Sequence, residues 1–187
     1  QFQDVALSHW AASWIERLYD AGITTGCSAN PPNFCPGQTT SRAQMAVLLG
    51  RALYDTSEDP PLSGNTVFED VPEGYWAAAW IEQIYQDGIT KGCGTDPLLF
   101  CPEKDINRAE MAAFLVRIEH GQDFVPDAPS GIFADVPTSH WAAGYIEQLY
   151  ADGLTTGCDS APLRFCPGSS TTRAEIAGFL GRTFDVP

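Results

Sequence analysis

Ser41-Arg42-Ala43-Gln44, Asn107-Arg108-Ala109-Glu110 and Thr172-Arg173-Ala174-Glu175 are three versions of one helix start. In each, a Ser, Asn or Thr side chain can accept from the backbone amide of the third helical residue, while the Gln or Glu there reaches back to the cap's own amide. Apolar residues follow at helical spacing: Met45, Leu48, Leu49 and Leu53; Met111, Phe114, Leu115 and Ile118; Ile176, Phe179, Leu180 and Phe184. The spacing predicts a helix after each of the three motifs, with Phe184 as a plain helix end.

Upstream of each motif the same residues recur. Phe2, Asp4, Val5, Trp10, Ile15, Glu16, Tyr19, Gly22 and Phe34 return as Phe68, Asp70, Val71, Trp76, Ile81, Glu82, Tyr85, Gly88 and Phe100. They return again as Phe133, Asp135, Val136, Trp141, Ile146, Glu147, Tyr150, Gly153 and Phe165, at offsets of 66 and then 65. The chain is a tandem array, with repeats 1–54, 68–119 and 133–187 joined by Pro-rich and polar linkers 55–67 and 120–132. A repeat of about fifty residues is marginal as a lone core, so the three are expected to stack.

Within a repeat, Trp10, Trp14, Ile15, Leu18 and Tyr19 mark one face of a first helix, a register that favours core packing of Trp10, Trp76 and Trp141, together with Trp14, Trp80 and Tyr145, over the alternative of aromatic platforms for a sugar ring. Ser8, Gly74 and Ser139 stand at the N-cap position, and Gly22, Gly88 and Gly153 at the glycine that ends a helix in a left-handed cap. From Thr24 to Thr40 the periodicity disappears among Gly, Pro, Asn and Ser, which reads as an irregular loop.

The six cysteines form three C-x7-C pairs, one in each of these loops. Cys27–Cys35, Cys93–Cys101 and Cys158–Cys166 are the economical pairing, with other pairings open on sequence alone. Disulfides imply an oxidising, extracytoplasmic location. A zinc site would need more ligands than a repeat supplies, since the histidines are only His9, His120 and His140. No metal or other cofactor is expected, and no EF-hand spacing appears.

A formal charge of −14 repels phosphate backbones and anionic headgroups, so nucleic acid is not an expected partner. No apolar stretch approaches the roughly 20 residues of a membrane span. Gln1-Phe2 already opens the first repeat, which reads as a mature fragment or an excised module.

The residues quoted, Phe-x-Asp-Val, Trp-Ala, Gly-Ile-Thr-x-Gly and Thr-Arg-Ala-Glu, resemble the S-layer homology domain in three copies. The resemblance implies an all-α fold, a pseudo-threefold array of three helix-loop-helix repeats around a central three-helix bundle, here with disulfide-pinned loops. It also implies non-covalent anchoring of surface proteins to a cell-wall polysaccharide, often pyruvylated, in the grooves between repeats, and an extracellular location at the cell surface or wall. The cysteine pairs, and Ser41 and Asn107 at the head of the motif, depart from the common pattern.

Arg42, Arg108 and Arg173 each fall on the first residue of a helix, where the macrodipole disfavours a cation. An anionic ligand could offset this by accepting the guanidinium fork while exposed helix amides add donors. So could an internal pair with a repeated acid, either Asp4, Asp70 and Asp135 or Glu16, Glu82 and Glu147. The resemblance favours the ligand role.

The other candidate ligand-binding residues are Gln44, Glu110 and Glu175, which the capping box also explains. Gly26, Gly92 and Gly157 complete the set, since a glycine lets backbone approach a ligand or makes a left-handed turn. His9 and His140 stand beside Trp, and Tyr75 replaces them in the second copy; no nucleophile motif, metal-protease motif or phosphate loop appears, so no catalytic residue is expected. The reading is a non-catalytic surface anchor for an anionic wall polysaccharide. A self-assembling subunit of a surface layer or filament, with other copies of the chain as partner, is the alternative.

Overall fold

The structure, a computed structural model, describes residues 2–54, 58–60 and 66–186; residues 1 and 187, and 55–57 and 61–65 of the expected first linker, lie outside the described residues. Each repeat contributes two helices: α1 (Ala12–Asp20) and α2 (Arg42–Tyr54), α3 (Ala78–Gln86) and α4 (Arg108–His120), α5 (Ala143–Ala151) and α6 (Arg173–Thr183). The fold is mostly helical, as the sequence predicts.

The loops are not wholly irregular, which corrects the expectation. Each holds an antiparallel hairpin of two-residue strands: β1 (Ser28–Ala29) with β2 (Pro32–Asn33), β3 (Gly94–Thr95) with β4 (Leu98–Leu99), and β5 (Asp159–Ser160) with β6 (Leu163–Arg164). Strands this short carry no alternating pattern to read. The three disulfides pair as expected, one closing each hairpin loop.

The first helices begin later than their sequence suggests. Ala11, Ala77 and Ala142 occupy the N-cap positions without a side-chain cap, and Ser8 and Ser139 are exposed in the turn before them. His9 Nδ1 accepts from the Ala11 amide at 3.1 Å and His140 Nδ1 from the Ala142 amide at 3.2 Å, so the histidines do the local work assigned to the serines.

The shift has a consequence for the tryptophans. Trp10, Trp76 and Trp141 precede the helices instead of lying on their inner faces, and are 58%, 57% and 59% exposed. The small residues after them, Ala11, Ala77 and Ala142, turn inward instead and are buried. At the other end the glycine reading holds: Gly22 lies at φ 73°, its amide donates to Tyr19 and that of Ile23 to Leu18, a Schellman cap.

The second helices α2, α4 and α6 are buried on most sides, unlike the one-faced first helices. All three capping boxes form, through Ser41 and Gln44, Asn107 and Glu110, and Thr172 and Glu175. Each first helix packs on the second helix of a neighbouring repeat: α3 on α2, α5 on α4, and α1 on α6.

Backbone hydrogen bonds follow the same cycle. Thr40 N–H donates to Thr171, Thr171 to Ile106, and Ile106 back to Thr40, at 2.9–3.0 Å. The first and last repeats thus join each other as each joins the middle one.

Candidate functional site

The segments Phe34-Cys35-Pro36, Phe100-Cys101-Pro102 and Phe165-Cys166-Pro167 act as clasps between repeats. Ala43 N–H donates to the Pro102 carbonyl, Ala109 N–H to Pro167, and Ala174 N–H to Pro36, each at 3.0 Å. Arg42, Arg108 and Arg173 amides donate to Lys104, Ser169 and Gln38 carbonyls. The first amides of the three second helices are therefore occupied by neighbouring backbone, and the expectation that they stand open to a ligand is corrected. Loop carbonyls already satisfy the donors that a free helix end would offer.

The three arginine side chains follow the same path. Nε of Arg42 donates to Phe100 O at 2.7 Å, that of Arg108 to Phe165 O at 2.8 Å, and that of Arg173 to Phe34 O at 2.7 Å. Each guanidinium also lies over the ring of the phenylalanine whose carbonyl it binds, 4.7–4.8 Å from its centroid. Arg42 and Arg108 have a second ring above them at 5.6 Å, Phe114 and Phe179 respectively. Leu48 holds the equivalent position beside Arg173.

The side chains are 1%, 5% and 8% exposed. Burial lowers each pKa from its ordinary value, and nearby acids pull it back: Glu110 then Asp70 for Arg42, Glu175 then Asp135 for Arg108, and Asp4 for Arg173.

The acids that bond these cations come from the capping boxes. Arg42 pairs with Glu110 at 3.3 Å and Arg108 with Glu175 at 3.1 Å, each across a repeat boundary. The third equivalent of these glutamates is the uncharged Gln44. Of the repeated acids weighed from sequence, the three aspartates act on the arginines through charge but bond the backbone, as do two of the three glutamates. Asp4, Asp70 and Asp135 each accept from the Phe and Cys amides of their clasp at 2.6–2.8 Å. Glu82 accepts from Val67, and Glu147 from Ser130, Gly131 and Ile132.

Clasp and disulfide work together on one stretch of chain. Cys35, Cys101 and Cys166 lie at φ near 58°, a left-handed conformation that needs support in a non-glycine residue; the bridge and the aspartate supply it. Gly26, Gly92 and Gly157, at φ +80° to +88°, turn the chain just before the first cysteine. A Cβ on any of them would lie 2.4 Å from the carbonyl oxygen of Asn33, Leu99 or Arg164.

Beside each buried arginine opens a groove. The first is headed by Arg42 and walled by Gly92, Glu110, Arg117 and Trp141; the second by Arg108, with Gly157, Glu175, Arg182 and Trp10; the third by Arg173, with Gly26, Gln44, Arg51 and Trp76. Their volumes are about 330, 380 and 200 Å³. Every groove draws on all three repeats, so the structure brings together all nine residues singled out from sequence, three to a groove.

One further set was not singled out. Arg51, Arg117 and Arg182 recur at the same offsets of 66 and 65, a signal present in the sequence. The exposed tryptophans were weighed as aromatic platforms but assigned to the core, because their true position before the helix was not legible. Eight of the chain's ten Lys and Arg side chains line one of these grooves.

Residues 132–177 match the family model of the S-layer homology domain. The chain carries an S-layer homology domain. Relatives of known name align along most of it. An S-layer protein of Bacillus thuringiensis subsp. finitimus is 27% identical over 185 residues, 97% of this chain and 21% of the relative. A cellulosome-anchoring protein of Acetivibrio thermocellus is 29% identical over 161 residues, 81% of this chain and 33% of the relative.

An endoglucanase of a Bacillus species is 35% identical over 118 residues, 62% of this chain and 11% of the relative. The chain thus spans a fifth to a third of the length of the first two relatives, and the S-layer homology repeats align with one part of larger proteins. Among the described residues no helix is long and apolar enough to cross a membrane.

Proposed function

We propose that this chain is a non-catalytic anchoring module that holds a surface protein to an anionic cell-wall polysaccharide seated in its three grooves. The cyclic helix contacts and the ring formed by Thr40, Ile106 and Thr171 support reading the body as pseudo-threefold, with α2, α4 and α6 at its centre. The observation that carries the functional reading is the placement of charge. A chain of formal charge −14 gathers eight of its ten basic side chains into grooves that each also present a half-exposed indole.

Cations recognise carboxylate or phosphate on a sugar, and an indole offers the flat apolar face on which a sugar ring stacks. A pyruvate ketal is one source of such a carboxylate, in keeping with the resemblance. The surface and anchoring proteins among the relatives agree with work at the extracellular cell surface or wall, as do the disulfides. In this reading Arg42, Arg108 and Arg173 present fixed charge at the groove floors, and Arg51, Arg117, Arg182 and the tryptophans line the walls along which the polymer lies.

The test is retention on protein-free bacterial wall sacculi by the chain carrying Trp10→Ala, Trp76→Ala and Trp141→Ala. The side chains are half outside the core, so the fold should survive, as checked by circular dichroism. A loss of retention of about tenfold or more is expected, and undiminished retention would refute the proposal.

A further inference from the structure

The three grooves differ in charge. Among the described residues, beside Arg42 stand Arg117, Lys91 and Lys104 with one carboxylate, Glu110; beside Arg108 stands Arg182 with one carboxylate, Glu175; beside Arg173 stands Arg51 with none. Lys91 and Lys104 are the only lysines in the chain, and both line the first groove. Their equivalents elsewhere are neutral: Thr25 and Thr156 for Lys91, Gln38 and Ser169 for Lys104.

The one acid in the first groove is already engaged. Glu110 bonds Arg42 at 3.3 Å, Lys104 at 3.1 Å and the Asn107 amide at 3.0 Å. Donors still remain without partners. Among the described residues, Nη2 of Arg42 and Nε of Arg117, whose side chains line this groove, are buried with no hydrogen-bond acceptor; the groove headed by Arg173 has one such nitrogen, Nε of Arg51. A buried guanidinium nitrogen left unpaired is costly, which marks a place for an acceptor.

From this placement we infer that the groove headed by Arg42 is the chain's selective site for a segment of acidic polysaccharide bearing at least two anionic groups, with Lys91 and Lys104 as the residues that set the preference. The inference rests on the anchoring function proposed above. Four cations and one committed carboxylate leave more charge than a single anionic group neutralises. The arginines are held rigidly by Phe100 O and Ile89 O, so they fix where one anion sits. Lys91 is exposed and Lys104 is 54% exposed, and such compact charges on flexible stems follow a second anionic group without demanding one geometry. The groove headed by Arg108, with two cations against one acid, suits a neutral or singly charged sugar.

The experiment compares four forms of the chain on protein-free sacculi of Bacillus thuringiensis at several salt concentrations. These are the unsubstituted chain; Lys91→Thr with Lys104→Ser; the same pair combined with Thr156→Lys and Ser169→Lys; and Arg17→Gln with Arg164→Gln, which removes two charges outside the grooves. Thr and Ser occur at the equivalent positions of other repeats, so these exchanges are compatible with the fold.

The lysine-deficient form should bind about tenfold or more weakly with a shallower salt dependence, and the Arg17 and Arg164 control should bind as the unsubstituted chain does. The form with relocated lysines should not recover the full affinity, since its unpaired guanidinium nitrogens remain in the first groove. Equal binding by the lysine-deficient form, an equal loss in the control, or full recovery on relocation would overturn the assignment of this groove while leaving anchoring intact. Failure of the unsubstituted chain to bind would overturn the anchoring reading and this inference with it.

Discussion

Gly50 leaves the space that the indole of Trp80 fills: a Cβ on Gly50 would lie 2.1 Å from Cε3 of the ring. Gly181 stands in the same relation to Trp14, at 2.2 Å. The third pair of equivalent positions holds Val116 and Tyr145, a larger residue on the helix and a smaller aromatic opposite. Volume is shared out across each helix contact, so two neighbouring repeats must be read together before either glycine makes sense.

Gly50→Ala therefore tests packing against propensity. Alanine in place of a mid-helix glycine ordinarily gains about 1 kcal/mol, but here it collides with a buried ring, and overpacking costs about 1–3 kcal/mol. The variant should melt lower than the parent in thermal unfolding, and Trp80→Tyr added to it should restore part of the loss. A rise in melting temperature for Gly50→Ala would show that the indole yields freely.

Gln44→Glu should stabilise. It gives Arg173 the cross-boundary acid that Arg42 and Arg108 already have, and both Gln44 and Arg173 line the same groove. Because position 44 is exposed, the gain should be no more than about 1 kcal/mol. It should fade in high salt, which a melting series at two ionic strengths would reveal.

Asp70→Ala should weaken the clasp that grips α2. It removes two charge-assisted hydrogen bonds, to the Phe100 amide at 2.8 Å and the Cys101 amide at 2.7 Å, at a cost of about 2 kcal/mol. Replacing Cys93 and Cys101 by Ser should cost about 2.5 kcal/mol by loop entropy. Since both devices hold one segment, the combined variant should depart from the sum, and a double-mutant cycle by denaturant unfolding measures that coupling.

Glu147 gives the end of the second linker a pH dependence. Burial pushes its pKa up, but the amides of Ser130, Gly131 and Ile132 and the Ser130 hydroxyl together bring it below the ordinary glutamate value. A depressed carboxyl pKa contributes stability that is fully present above the unfolded value of about 4.3 and is lost as pH falls through the lower folded value. The amide resonances of Ser130 and Gly131 should titrate with a midpoint below about 4.3, and Glu147→Gln should abolish the titration. A midpoint above that value would contradict the assignment.

The repeat, its two helices and its bridge were legible because each leaves a local mark. Capping boxes use residues three apart, Schellman glycines sit at a fixed place after the last turn, and each cysteine pair closes its own loop. Trp10 was misplaced for a local reason as well. It keeps helical register with Trp14, but a backbone turn in which the His9 amide donates to Ala6 O and the Ala12 amide to His9 O precedes the helix, which starts only at Ala12 and leaves Trp10 outside; Tyr75 and Ala78 form the same turn in the second repeat. The recurrence of Arg51, Arg117 and Arg182 was visible in the letters, yet nothing local distinguishes a groove arginine from an ordinary one near a helix end.

From its letters alone this chain declares a threefold array of bridged, two-helix units with an arginine at each second-helix start, because capping, loop closure and periodicity are short-range. Only the tertiary structure decided what each arginine touches. The partner of Arg42 is a carbonyl 58 residues away and an acid in another repeat, and the loop of the first repeat grips the helix of the third. Such pairings depend on how the repeats close on one another. The same closure that buries the arginines leaves three grooves beside them, and the unequal charge of those grooves appears only once the repeats are brought together.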